Sequence, residues 1–164
     1  MQEKQNNEYI HYPPFRPSLR GCVARDARMA AAVYTCYSEA FFSISDNIYR
    51  SLVCRDCDTA LAELFEEIAE RDLEHFRTLG ELFLALSDVD GRKTVRSPYF
   101  TRPSGPVRNQ DSHATAALWE RRRNMDCYET LMKRTEDRVV RSVLAKLLAT
   151  ERLFCRRLEA VCKE

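Results

Sequence analysis

The sequence predicts an all-α protein, a four-helix bundle built from two antiparallel helix hairpins joined by a long crossover, and three observations predict it. Apolar residues recur at three- and four-residue steps in four separate segments, the spacing that gives a helix one buried face. Two of the three gaps between those segments are short. The third, "GRKTVRSPYFTRPSGPVRNQD", holds Pro98, Pro103 and Pro106 and far exceeds the ~2 to 8 residues usual between adjacent bundle helices, which calls for a run along the whole bundle. A chain of 164 residues, 45% hydrophobic and 31% charged, is long enough for one domain with a real core and leaves little room for a second.

Each element follows in order. Residues 1–25 carry Pro13, Pro14, Pro17 and Gly21 without helical periodicity, and read as an extended N-terminal arm lying on the surface or on a partner; residues 26–164 form the bundle. The first helix runs from about Arg25 to Cys54 with Val33, Tyr37, Ala40, Ile44 and Ile48 on its buried face. After the break "CRDCD", a second stripe of Leu61, Leu64, Phe65, Ile68, Asp72, His75, Leu79 and Leu82 or Phe83 ends at "SDVDG". The crossover takes residues 91–111. The third helix, from about Ser112 to Lys133, aligns Leu118, Arg121, Met125, Tyr128 and Met132. The fourth, from about Asp137 to Cys162, aligns Val140, Leu144, Leu147, Glu151, Phe154, Leu158 and Val161. Laying Asp72 on Glu151 also matches Ile68 with Leu147, Arg77 with Arg156 and Leu79 with Leu158, so each hairpin reads as a copy of the other with one carboxylate at the same place.

Composition excludes several function classes. A net charge of +1, from 26 basic and 25 acidic residues, supplies no global field for nucleic acid or an anionic membrane. No run approaches the roughly 18 apolar residues that span a bilayer, and "MQEKQNNEYIHYPPF" has no apolar signal core, so a soluble cytoplasmic protein, homo-oligomeric and without nucleic-acid or membrane partners, is expected. The seven cysteines are an odd number in a chain of long amphipathic helices, and read as reduced thiols packed as small apolar groups. Cys36 and Cys127 on facing helices, and Cys155 and Cys162 on one helix face, are all placed in the core on this reading. Cys54 and Cys57 form a C-x-x-C, a candidate redox pair or half of a zinc site, but no second C-x-x-C exists and the context is a helix end.

The chemistry concentrates in "EEIAERDLEHFRTLGEL". Asp72 and His75, three apart on a helix, point to one side and offer an oxygen and a nitrogen to one metal. The stretch "CYSEAFFSISDNIYRSLVCRDCDTALAELFEEIAERDLEHFRTLGELFLAL", continued by "TEDRVVRSVLAKLLATERLFCRRLEAV", resembles ferritin-like proteins of the rubrerythrin and manganese-catalase-like kind over about residues 25–162. The resemblance implies a ferritin-like bundle whose dimetal centre, of Fe or Mn, reduces or disproportionates peroxide or oxidises iron; some such relatives belong to spore coats. In such bundles two helices each give a Glu and two give Glu-x-x-His. Matched residue by residue, Asp72 and His75 keep one motif with a shortened arm, while Glu151 keeps the carboxylate of the other and Phe154 stands where its histidine would be. The two single glutamates fall at Ala40 and Arg121. A one-residue shift would recruit Glu39 and Glu120, but Ala40 lies in line with Val33, Ile44 and Ile48, and Arg121 with Leu118, Met125 and Tyr128.

Arg121 offers another account of the same residues. A guanidinium is permanently charged and presents paired donors, so it can bridge Asp72 and Glu151 in place of a metal, with His75 hydrogen-bonded to the cluster. The leading expectation is therefore a ferritin-fold protein that has lost its dimetal centre, holds no cofactor, and has a structural or interaction role, self-associating or joining a coat-like assembly. Two alternatives stay open: a mononuclear site of Asp72, His75 and Glu151, and a peroxide-handling or ferroxidase-like oxidoreductase that adds Glu39 and Glu120, with Tyr128 nearby.

Overall fold

Four short polar side chains decide where the helices start. Asp26 accepts from the backbone N–H groups of Arg28 and Met29 at 3.0 Å, Asp58 from Leu61 at 2.9 Å, Ser112 from Thr115 at 3.2 Å, and Asp137 from Val139 at 2.8 Å. Each satisfies donors that a first helical turn leaves without a partner. The computed structural model describes residues 19–87 and 112–163. Within them lie α1 (Ala27–Cys54), α2 (Thr59–Leu86), α3 (His113–Arg134) and α4 (Arg138–Val161), and among the described residues there is no strand. The protein is an all-α four-helix bundle.

Contacts along the helices fix the topology. Tyr37 stacks on Phe76 at 4.3 Å and Ser51 reaches Glu66 at 2.9 Å, so α1 and α2 run antiparallel; Arg152 meets Glu129 and Arg122 meets Glu159, so α3 and α4 do too. The backbone N–H of Asp26 donates to the carbonyl of Leu86 at 3.0 Å, tying the entry to α1 onto the end of α2. Thr115, at the start of α3, lies beside Cys162 at the end of α4. Leu86 and His113 thus lie at opposite ends of the bundle, the topology a long crossover serves. The crossover expected at residues 91–111, and the arm as far as residue 18, lie outside the described residues. Gly80 allows α1 to approach α2: a Cβ there would stand 3.1 Å from the ring of Tyr37.

The apolar core is divided. One cluster at the Leu86 end packs Val33, Ala40, Leu79, Leu82, Tyr128 and Leu144; the other packs Phe65, Ile68, Ala117, Leu118, Phe154 and Leu158. Met125 touches both. Between them lies a buried polar layer of Ser43, Asn47, Asp72, His75, Arg121 and Glu151.

That layer corrects the expected face of α1. Val33 and Ala40 are buried, but Ile48 is 49% exposed, and the centre of the face is Cys36, Ser43, Asn47, Arg50 and Cys54. Hydropathy follows the edge of α1 because hydrogen bonds, which hydropathy does not count, bury the polar residues at its centre. Leu79→Ala should therefore destabilise the protein by about 2–5 kcal/mol in denaturant unfolding. Ile48→Gln, in dilute solution, should stay within about 0.5 kcal/mol of wild type; an equal loss at both sites would restore the face expected from hydropathy.

Candidate functional site: a buried arginine–carboxylate cluster

Each helix sends one or more polar side chains into the layer. Arg121 on α3 is 1% exposed and donates through Nη1 to Asp72 Oδ1 at 2.5 Å and to Glu151 Oε1 at 3.4 Å, and through Nη2 to Asp72 Oδ2 at 3.0 Å. Nη2 also donates to the hydroxyl of Ser43, which in turn donates to Asp72 Oδ2 at 2.6 Å. Asn47 Nδ2 reaches the same Asp72 oxygen at 3.1 Å, and Arg50 links Asn47 Oδ1 to a two-point pairing with Glu120 at 2.7 and 2.8 Å. On the far side Asn124 donates to Glu151 at 3.3 Å, and His75 Nδ1 stands 3.3 Å from Glu151 Oε1 in an electrostatic contact without hydrogen-bond alignment. The network runs without a break from Glu120 to Glu151.

Attraction between opposite charges holds it together. Burial works against the charge of Arg121, but the carboxylates of Glu151 and Asp72 outweigh it and raise its pKa further above the guanidinium range. Burial likewise works against an ionised Glu151, yet Arg121 and the nearby His75 leave its carboxyl below the ordinary value. The hydroxyl of Tyr128 is pushed well above its usual range by burial and by the charge of Glu151. Tyr128 is therefore a neutral wall for the cluster, its ring edge-on to His75 with centroids 6.4 Å apart. A cavity of about 450 Å³ between α2 and α4, lined by Glu74, His75, Thr78 and Lys146 among others, brings solvent to the His75 side.

Asp72, His75 and Glu151 converge, each with a ligand-capable atom within 4.8 Å of the others. Ala40 lies in one apolar cluster and Phe154 in the other. Glu39 and Glu120 do not join the three: Glu39 pairs with Arg123 at 2.6 Å and Glu120 with Arg50. Cys54 is buried at the end of α1 and Cys57 exposed, with Cys57 Sγ donating to the Cys54 carbonyl at 3.4 Å. Burial, then the charges of Cys57 and Asp58, push the Cys54 thiol up, away from the thiolate that redox chemistry needs.

Two expectations about the cysteines are corrected. Cys36 and Cys127, read as reduced core thiols, are joined as a disulfide, because helix packing sets face to face two residues 91 apart in sequence. Cys162, read as core, is exposed, since α4 ends beneath it. Sequence reasoning also missed Ser43, Asn47, Arg50 and Asn124. A signal existed for three of them: Cys36, Ala40, Ser43, Asn47, Arg50 and Cys54 recur in alternating steps of four and three, the spacing of one helix face, with small and polar residues in place of apolar ones. The chain matches no protein-family model and no curated protein sequence.

Removing the cation should expose the balance directly. Arg121→Ala leaves two buried carboxylates without their partner and should cost about 3–5 kcal/mol at neutral pH. The pH dependence has a definite sign. With the native pKa of Glu151 lowered, its stabilisation is complete above the unfolded carboxylate value of about 4.3 and is lost as pH falls through the native value, where the unfolded chain binds the extra proton. Glu151→Gln should flatten the acid limb of the stability profile; an unchanged limb in thermal unfolding from about pH 7 to 3 would show that Arg121 does not hold the Glu151 charge.

Proposed function

We propose that the chain is a ferritin-like bundle that has given up its dimetal centre, with the guanidinium of Arg121 taking the ions' place, and that it serves as a structural or interaction protein. The observation that carries this reading is the position of Arg121 Nη1, 2.5 Å from Asp72 Oδ1 and 3.3 Å from Glu151 Oε2. A permanent cation in that position repels a divalent ion and engages the carboxylates that would ligate it. The donor set does not fit two metals. Three donor residues converge, Phe154 supplies no ligand, and Glu39 and Glu120 are each held by an arginine. The oxidoreductase alternative has no observation in its favour beyond the three donors.

The interaction role draws on the outer surface. Phe41, Ile48, Tyr49, Leu52 and Val53 are 44–61% exposed on one helix, α1. Apolar residues concentrated on one face of a soluble helix favour association, and the occupant of this face is a second copy of the chain.

Two measurements test the reading. Elemental analysis after incubation with Fe(II) or Mn(II) should find no bound metal in wild type, whereas Arg121→Glu should gain metal and a metal-dependent rise in melting temperature. Two ions per wild-type chain would overturn it. In light scattering coupled to size exclusion, wild type should run above the monomer mass and Ile48→Asp/Leu52→Asp at it; a monomeric wild type would end the self-association part alone.

A further inference from the structure

The surface where α1 meets α3 differs from the rest of the bundle. Reading along it, Cys36 is joined to Cys127, Glu39 pairs with Arg123, Ser43 receives Arg121, and Arg50 pairs with Glu120. Each hairpin has its own ion pairs, Arg122–Glu159 and Arg152–Glu129 among them, and what sets this seam between the hairpins apart is one covalent bond beside its charges and hydrogen bonds. On the same seam lies a cleft of about 20 Å³ lined by Glu39, Phe42, Ser43, Asp46, Glu120 and Asn124, among others, enough for about one water; the Ser43 in its wall is the residue whose hydroxyl touches Asp72. Among the described residues, Cys36–Cys127 is the one disulfide, and it ties one hairpin to the other.

We infer that Cys36 and Cys127 form a redox modification site that closes the α1–α3 seam when oxidised and lets it open when reduced, admitting water to the buried Arg121 cluster. Their Cα atoms are 7.3 Å apart, beyond the roughly 4.4–6.8 Å usual for a disulfide, so forming the bond draws the α1 and α3 backbones together and closes the seam with it. The oxidant is a small-molecule disulfide of the glutathione class. Cys127, half-buried, is the reachable sulfur; its thiolate attacks the small disulfide and releases one thiol. The buried Cys36 thiolate then displaces the second thiol from the mixed disulfide. The protein loses two electrons and two protons, and the small disulfide is reduced to two thiols. The other cysteines have no such partner: Cys155 lies against Met125, Cys54 is buried beside the exposed Cys57 without a bond between them, and Cys22 and Cys162 are exposed.

The test compares protein reduced with dithiothreitol and protein treated natively with oxidised glutathione. Thiol titration in denaturant should count seven free thiols in the first and five in the second, and digestion should recover the Cys36 and Cys127 peptides as the linked pair. Hydrogen exchange read by mass spectrometry over residues 36–50 and 120–127 should slow by about tenfold or more on oxidation. Cys36→Ala and Cys127→Ala, each made alone, should show no such response while keeping the helical circular dichroism of the reduced wild type. Seven thiols persisting after oxidation, linkage of any other pair, or equal exchange in the two forms would overturn the inference.

Discussion

Everything in this bundle turns on one guanidinium holding two carboxylates in a dry interior. Asp72 and Glu151 are essentially inaccessible, and an ionised carboxylate without a partner in such a place costs several kcal/mol in lost hydration. Arg121 arrives from α3 and pairs with both, while Ser43 and Asn47 from α1 donate to the Asp72 oxygen that its Nη2 also holds. No single helix could bury its own member of this set. Hydrophobic burial drives collapse, but the polar layer decides which residues may lie at the same level.

That constraint acts as a register lock. The apolar residues on either side are largely interchangeable leucines, valines and alanines, which would tolerate a slide of one turn along a neighbour. A slide would leave Asp72, Arg121 or Glu151 against hydrocarbon, and the penalty for an unpaired buried charge exceeds what repacking of aliphatic side chains returns. Tyr128 and His75 then close the layer with ring surfaces.

The hairpins and the seam between them are built differently. Within the first hairpin Tyr34 packs on Phe83 and Tyr37 on Phe76, and Gly80 lets that second pair approach closely. Between the hairpins α1 and α3 meet through ion pairs and a disulfide. Contacts of the first kind are lost only on unfolding. Ion pairs within and between the hairpins respond to protonation and ionic strength, and among the described residues the seam adds a disulfide, which responds to redox conditions.

The sequence by itself determined the helices and much of the site. Asp26, Asp58, Ser112 and Asp137 mark the starts, and Asp72, Arg121 and Glu151 stand out because charged residues in apolar stripes need partners. The tertiary structure alone decided three things. It turned α1 so that Ser43, Asn47 and Arg50 face inward and Ile48 outward, which hydropathy cannot foresee because the compensating hydrogen bonds come from other helices. It held Glu39 and Glu120 on arginines, Arg123 and Arg50, that lie far from them in the chain. It also set Cys36 opposite Cys127, since a pairing between residues 91 apart leaves no trace in local periodicity and exists only once the helices have packed.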